Sequence, residues 1–322
     1  MVRFRRVLAP PCCHVVFSHP LLHERPVLAA MLYPPPATIA ARLAAFLTAG
    51  RASKAYCIGL NYSAHVSEMR AMGMGGAAPR PPTTTSPPAA GKATAAATPT
   101  LFLKPSSSYH WHGVDGPLRV PANVELHHEV EVGVILAPLP VTAPAGASDD
   151  IVGGRRRAAT AAHIRKADAL AHVVGYTLAL DMTARDVQAA AKRGGKPWAA
   201  AKCGDGYLPL AAEAVSAAEV AVDASGRPAL EVVCSVNGVE RQRGCGGQWI
   251  WDLPSLVSYA SSVCAVEEND VLLTGTPAGV GPVVPGDHIE AVLRVTAGAA
   301  EGRELKMAFD CVEGEPVGVI RE

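Results

Sequence analysis

The stretch Leu126-His127-His128-Glu129-Val130-Glu131-Val132-Gly133-Val134-Ile135-Leu136 decides how the chain is read, because two carboxylates interrupt an otherwise apolar, β-branched run. That composition predicts a strand. Side chains alternate along a strand, so Glu129 and Glu131, with His127 before them, are expected on one face and Val130, Val132 and Val134 on the other. Two acids at this spacing in a partly buried strand cannot both stay ionised without positive charge beside them, and a hard divalent cation supplies it best. The alternative is an acidic face left in water, as antiparallel sheets allow.

Outward from this stretch, the composition narrows the choices. A chain of 322 residues, 49% hydrophobic and 18% charged, can bury a full core. Its 29 basic and 29 acidic residues cancel, which removes the electrostatic case for nucleic acid or an anionic membrane and favours a small metabolite as partner. Eight cysteines at 12, 13, 57, 203, 234, 245, 264 and 311 form no C-x-x-C pair and no zinc spacing, and are read as reduced thiols. No apolar run reaches the eighteen or so residues of a membrane span.

Residues 1–40 are an N-terminal extension in which Arg3, Arg5, Arg6 and Arg25 face a single acid, Glu24. Arg-rich and acid-poor is the composition of a mitochondrial transit segment, although Pro10, Pro11, Pro20 and Pro26 interrupt any long helix. The expectation is mitochondrial import, with a disordered extension on a cytoplasmic protein as the alternative. Residues 41–322 are then one catalytic domain. It carries low-complexity insertions near 70–98 and 138–165, rich in Pro, Gly, Ala and Thr, which bury too little apolar surface to order themselves.

Within that domain, a short strand ending at Gly59 leads to Asn61-Tyr62-Ser63-Ala64-His65-Val66-Ser67-Glu68. His65 and Glu68 at i and i+3 share one side of a helical turn, and a carboxylate against an imidazole fixes its tautomer and raises its basicity. A casual surface pair is the alternative. Pro99 to Ser108 is a strand running into a hydroxyl-rich turn, with Lys104 at its end. The run Val173–Leu180 is a buried strand ending on Asp181, and Thr183-Ala184-Arg185-Asp186 has the form of a helix start in which a threonine cap is answered by an acid. Arg185 and Gln188 then lie one and two turns beyond Asp181. A glycine-rich connection from Gly194 to Gly206 carries Lys202 and lacks the spacing of a phosphate loop. Asn237-Gly238 between apolar runs predicts a hairpin. In Thr274-Gly275-Thr276-Pro277 the hydroxyls and open backbone N–H groups suit a small carboxylate.

Six blocks, GLNYSAHVSEM, LFLKPSSS, LHHEVEVGVIL, GYTLALDMTARDVQ, PWAAAKCGDGYLPL and LLTGTPAGVGPV, resemble the fumarylacetoacetate hydrolase family in order and spacing from about Ala55 to Val317. The H-x-x-E, the D-M-T-A-R-D segment and the Arg-rich leader are closest to its mitochondrial acylpyruvase and oxaloacetate decarboxylase branch. The resemblance implies an α+β fold, a mixed β-sheet roll with peripheral helices, and a homodimer. It further implies Mg²⁺, or Mn²⁺, on Glu129, Glu131 and Asp181, with His65 and Glu68 as the water-activating pair and Lys202 as the active-site lysine. Arg185, Gln188, Thr276 and Lys104 match substrate-side positions. The activity implied is C–C hydrolysis of acylpyruvates, decarboxylation of oxaloacetate, or both. An isomerase or tautomerase of 2-keto acids on the same fold, or a non-catalytic metabolite-binding dimer, are the alternatives. Leu60, Gly204 and the segment Cys245 to Trp251 depart from the family's pattern.

Overall fold

The computed structural model describes Phe46 and residues 54–73, 98–139, 151–152, 155–156 and 160–318. The 1–40 extension, nearly all of the 70–98 insertion and the middle of the 138–165 insertion lie outside the described residues.

The strand Val130–Leu136 runs through the middle of an eight-stranded sheet, between Asp270–Leu273 and Val173–Leu180. Beyond these, Lys54–Gly59 and Thr100–Pro105 lie on one side and Leu208–Leu210 and Tyr109–Trp111 on the other, with the short Val215–Ser216 also paired to Val173–Leu180. The sheet is mixed: Lys54–Gly59 pairs parallel with Asp270–Leu273, whereas Val130–Leu136 is antiparallel to both of its neighbours. Every residue of Val130–Leu136 and of Val173–Leu180 is buried, as expected for strands covered on both faces.

A five-stranded sheet, in the order Val239–Cys245, Leu230–Val236, His288–Val295, Glu304–Gly314, Leu118–Pro121, covers one of those faces. Its strands His288–Val295 and Glu304–Gly314 alternate buried and exposed positions, so they offer one apolar side only. Val130, Val132 and Val134 pack with Val232, Leu293 and Met307 of that sheet in the larger hydrophobic cluster. Ile135 belongs to a separate cluster on the opposite face, with Ala55, Cys57 and Ala179. The result is an α+β arrangement of mixed, packed sheets with few helices, as the resemblance implied. Among the described residues no helix is long and apolar enough to cross a membrane. The described cysteines 57, 203, 234, 245, 264 and 311 are free thiols.

Two local expectations are corrected. The acid-bearing stretch is two strands rather than one: Leu126–His128 pairs with Thr183–Ala184 and Gly281–Pro282 in a small sheet of its own, and the ladder breaks at Glu129 before Val130 joins the main sheet. The expected threonine-capped helix is also absent as drawn. Thr183 is spent in that small sheet and its hydroxyl donates to the Asp181 carbonyl, so Arg185–Arg193 starts after Ala184 without a side-chain cap. Asn237 and Gly238 do form the expected hairpin turn, with φ of 53° and 72°.

Gln242, 1% exposed, ties the break at Glu129 to the loop that follows Leu273. Its Oε1 accepts from Val130 N at 3.0 Å and lies 2.9 Å from His128 Nδ1, while its Nε2 donates to Thr276 Oγ1 at 2.8 Å and Pro277 O at 2.9 Å. Replacing Gln242 by Leu removes this clamp and leaves its buried partners unpaired. Urea unfolding of that variant is expected to show a loss of about 2–4 kcal/mol; wild-type stability would show that the clamp carries nothing.

Candidate active site

Strand register brings the acids together. Ala179 lies opposite Glu131 and Leu180 opposite Val130, so the next residue, Asp181, arrives beside Glu129, and its backbone N–H donates to the Glu129 carbonyl at 2.8 Å. Glu129, Glu131 and Asp181 are 5%, 2% and 1% exposed, and one carboxylate oxygen from each lies within 4.8 Å of the others. The water-exposed acidic face weighed from sequence is therefore excluded.

Three buried carboxylates demand compensation, and three cations supply it. The Arg185 guanidinium donates to Glu129 Oε1. Lys202 Nζ donates to Glu129 Oε2 at 2.9 Å and to Asp181 Oδ2 at 2.6 Å. Lys104 Nζ stands 2.9 Å from Asp181 Oδ1. Burial pushes the Glu129 carboxyl up, but Lys202 and Arg185 outweigh it and hold the group well below the usual carboxylate range. Glu131 receives only the Gly275 N–H, at 2.6 Å; burial, then Asp181 and Glu129, drive its carboxyl well above that range. Burial opposes charge on Lys202 as well, yet Asp181 and Glu129 raise it above the ordinary lysine value.

The donor set fits a hard divalent ion. All three side chains are carboxylates, the oxygen donors that a hard ion such as Mg²⁺ takes, and they already converge on one point. Asp181 Oδ1 is buried and makes no hydrogen bond. Lys104 explains this, because its three N–H bonds go to the carbonyls of Met182, Lys202 and Tyr207 at 3.1, 2.5 and 2.9 Å. It neutralises Asp181 by charge while leaving the oxygen's lone pairs open. Lys104, expected on the substrate side, sits fully buried with its three N–H bonds engaged by backbone carbonyls.

The imidazole of His65 lines the same cleft as the triad. Its Nδ1 lies 2.9 Å from Glu68 Oε2, so an acceptor carboxylate assigns the proton to Nδ1 and leaves Nε2 basic. Burial raises the Glu68 carboxyl, but His65 and the Gly279 N–H, which reaches Glu68 Oε1 at 2.8 Å, bring it below its ordinary value. Gly279 has φ +98°, and a Cβ there would sit 1.9 Å from the Arg241 carbonyl, so only glycine fits where this N–H is aimed. The helix Ser63–Ala71 that carries His65 is anchored at its start. Asn61 O and Oδ1 accept from Ile250 N at 2.7 Å and Trp251 N at 2.8 Å, and Trp249 Nε1 donates to Tyr62 at 2.8 Å. The Cys245 to Trp251 departure is thus a buttress for that helix. Leu60, at φ +61°, lines the cleft itself.

Arg185, Gln188 and Thr276 also line the cleft. Arg185 Nη1 donates to Gln188 Oε1 at 2.6 Å, joining the two as their spacing suggested. The Thr274-Gly275-Thr276 donors do something other than await a ligand: Thr274 and Thr276 hydroxyls donate to the Val132 and Val130 carbonyls at 3.1 and 2.9 Å, and Gly275 N to Glu131. The loop fixes the acid-bearing backbone. Sequence reasoning missed Gln242, whose isolated position in a polar hairpin gives no signal. It also missed Lys192, Phe102 and Trp198, which line the cleft. Lys192 was legible as the next step of the Arg185, Gln188 stripe.

The model of the fumarylacetoacetate hydrolase C-terminal family matches residues 54–156 and 151–303. Oxaloacetate tautomerase FAHD1, mitochondrial, of Mus musculus is 38% identical over 236 residues, 73% of this chain and 84% of that protein. Oxaloacetate tautomerase FAHD2, mitochondrial, of Oryza sativa is 40% identical over 195 residues, 60% and 75% of the two chains. Among solved structures, fumarylpyruvate hydrolase of Pseudomonas aeruginosa in complex with Mn²⁺ and pyruvate is 26% identical with a TM-score of 0.57, covering 81% of this chain and 90% of that one. The 5-carboxymethyl-2-hydroxymuconate delta-isomerase of Mycobacterium smegmatis, also 26% identical, gives 0.55 over 82% and 80%. With 54–303 matched and the site built from the same blocks, this chain belongs to the fumarylacetoacetate hydrolase family.

Proposed function

We propose that this protein is a divalent-metal-dependent enzyme of 2-keto acids whose reaction is the keto–enol interconversion of oxaloacetate. One observation carries the reading: a buried carboxylate triad with an open Asp181 oxygen shares a cleft with a carboxylate-oriented imidazole. The sequence placed C–C hydrolysis and decarboxylation first and proton transfer second. The relatives named oxaloacetate tautomerase support reversing that order. Cleavage of acylpyruvates stays as the second reading, supported by the likeness to fumarylpyruvate hydrolase.

Mg²⁺ or Mn²⁺ held by Glu129, Glu131 and Asp181 would supply fixed positive charge for the keto-acid head and for the oxygen that becomes anionic. The protein's own groups do the rest. Neutral His65, its Nδ1–H given to Glu68, accepts a proton from C3 at Nε2. The electron pair of that C–H bond moves toward the C2 oxygen, and the Lys202 ammonium stabilises the charge there. The imidazolium returns its proton to that oxygen, so one proton moves and no carbon–carbon bond breaks. Arg185 and Gln188 orient the head of the substrate. The 41–322 segment is proposed as one catalytic domain, active as a homodimer. The Arg-rich leader and the mitochondrial names of the relatives support residence in mitochondria.

Titration with Mn²⁺, followed by electron paramagnetic resonance and melting temperature, should show one ion per chain and a stabilisation of about 2.7 kcal/mol at a hundredfold excess over Kd. Asp181→Asn should lose both signals; a variant that binds as well as wild type refutes the triad. For the chemistry, His65→Ala is expected to slow tautomerisation by roughly 10²–10⁴-fold while Mn²⁺ binding persists. Undiminished tautomerisation in that variant, or pyruvate appearing by NMR as fast as the enol is consumed, would remove the proton-transfer reading.

A further inference from the structure

Beside the site stands a second imidazole oriented by a carboxylate, and the proposed reaction does not use it. His127, 5% exposed, has its Nε2 at 2.7 Å from Glu125 Oε1 and its Nδ1 at 3.5 Å from Arg185 Nε. Both neighbours agree on where the proton sits. An ionised carboxylate only accepts and a guanidinium only donates, so Nε2 carries the hydrogen and Nδ1 turns its lone pair to Arg185. His65 is the reverse case, with its proton at Nδ1 against Glu68. Sheet register puts His127 in place: it lies opposite Thr183, and the chain reaches Arg185 two residues later. Glu125 holds the same arginine by backbone, since its carbonyl accepts from Arg185 N at 2.8 Å and its own N–H donates to Asp186 Oδ1 at 3.2 Å.

We propose that His127 is the positioning residue of Arg185: the imidazole, set by Glu125, turns the guanidinium so that it neutralises Glu129 and still presents N–H groups to the carboxylate of a 2-keto acid. This rests on the keto-acid reading above. Arg185 lines the cleft and His127 does not, so the imidazole acts through the arginine. A guanidinium is a rigid planar fork, and holding all three of its nitrogens fixes its plane. Gln188 Oε1 takes Nη1 at 2.6 Å and Glu129 Oε1 takes Nη2. His127 takes Nε, the hinge about which the fork would otherwise turn. At 3.5 Å that bond is at the long end of hydrogen-bond distance, so its part is direction, while Glu129 answers the arginine's charge. Each terminal nitrogen keeps a second N–H with which to reach a ligand. A side chain at 127 without an acceptor would leave the Nε–H buried and unpaired, and the fork free to swing.

The test compares wild type, His127→Phe, His127→Asn and Glu125→Ala. In ¹⁵N NMR of the Mg²⁺-loaded protein the His127 ring should carry its proton at Nε2 and none at Nδ1, and Glu125→Ala should turn this into a mixture of tautomers. Calorimetry with oxalate on the Mn²⁺-loaded protein reads the head-binding position. His127→Phe keeps a ring and removes the acceptor; it should raise the oxalate Kd and the oxaloacetate KM roughly tenfold, with kcat changed by less than about threefold. His127→Asn sets an amide oxygen near the place of Nδ1 and should recover most of the loss. A proton found on Nδ1 in wild type, an unchanged oxalate Kd and KM in His127→Phe, or a fall in kcat alone overturns the assignment. Should the Phe variant not fold, Glu125→Ala, changed at a carboxylate that is 55% exposed, decides instead: the oxalate Kd and KM should rise roughly threefold or more, and unchanged values refute the proposal. Failure of the underlying reading looks different: wild type would then neither bind oxalate with Mn²⁺ nor turn over oxaloacetate, whatever the tautomer of His127.

Discussion

Burying three carboxylates at one point is the constraint on which the rest of the structure depends. Each ion taken out of water costs several kcal/mol, and like charges a few ångströms apart oppose one another further. The chain meets this with cations drawn from three separate segments: Lys104 at the end of a strand, Arg185 at the start of a helix, and Lys202 at the end of a short helix. Compensation is uneven. Glu129 sits between two cations that hold its carboxyl well below the usual range, whereas Glu131 has a single backbone N–H and is driven well above it by burial and the neighbouring acids. An arrangement balanced for charge but short of hydrogen bonds at Asp181 Oδ1 is stable enough to fold and still poised for a hard ion.

Backbone geometry keeps that arrangement rigid. The antiparallel register between Val130–Leu136 and Val173–Leu180 fixes the distance from Asp181 to the glutamates, and no side-chain freedom is needed to assemble the triad. The ladder break at Glu129 allows the acid to turn away from its sheet toward Arg185 and Lys202. Gln242 and the Thr274 to Pro277 loop then hold both sides of the break through four hydrogen bonds to backbone carbonyl or amide groups.

The His65–Glu68 pair is built on a different footing. His65 and Glu68 lie on a helix of nine residues, too short to be stable alone, so its position comes from tertiary contacts at Asn61 and Tyr62 and from the Gly279 N–H on Glu68. The carboxylate triad and the His65–Glu68 pair thus sit on independent supports that meet in one cleft. Such separation lets a family keep the acidic triad while changing what stands beside it, which agrees with relatives named as tautomerases and neighbours named as hydrolase and isomerase.

Much of this was legible from residues alone. Alternation in Val130 to Leu136, the H-x-x-E pair and the six family blocks were enough for the sheet, the His65–Glu68 contact and the set of acids, because period-two and i, i+3 patterns are local consequences of backbone geometry. The mistaken cap at Thr183, the surroundings of Lys104 and of the Thr274 to Thr276 donors, and the importance of Gln242 come from partners distant in sequence, 34 to 146 residues away for Lys104, Gln242, Thr274 and Thr276. A hydrogen-bond donor carries no mark of where its bond will go. Sequence by itself determined which chemical groups this protein possesses and in which order; only the folded chain decided which of them are already satisfied and which remain open to a ligand, since satisfaction depends on distance and not on spacing along the chain.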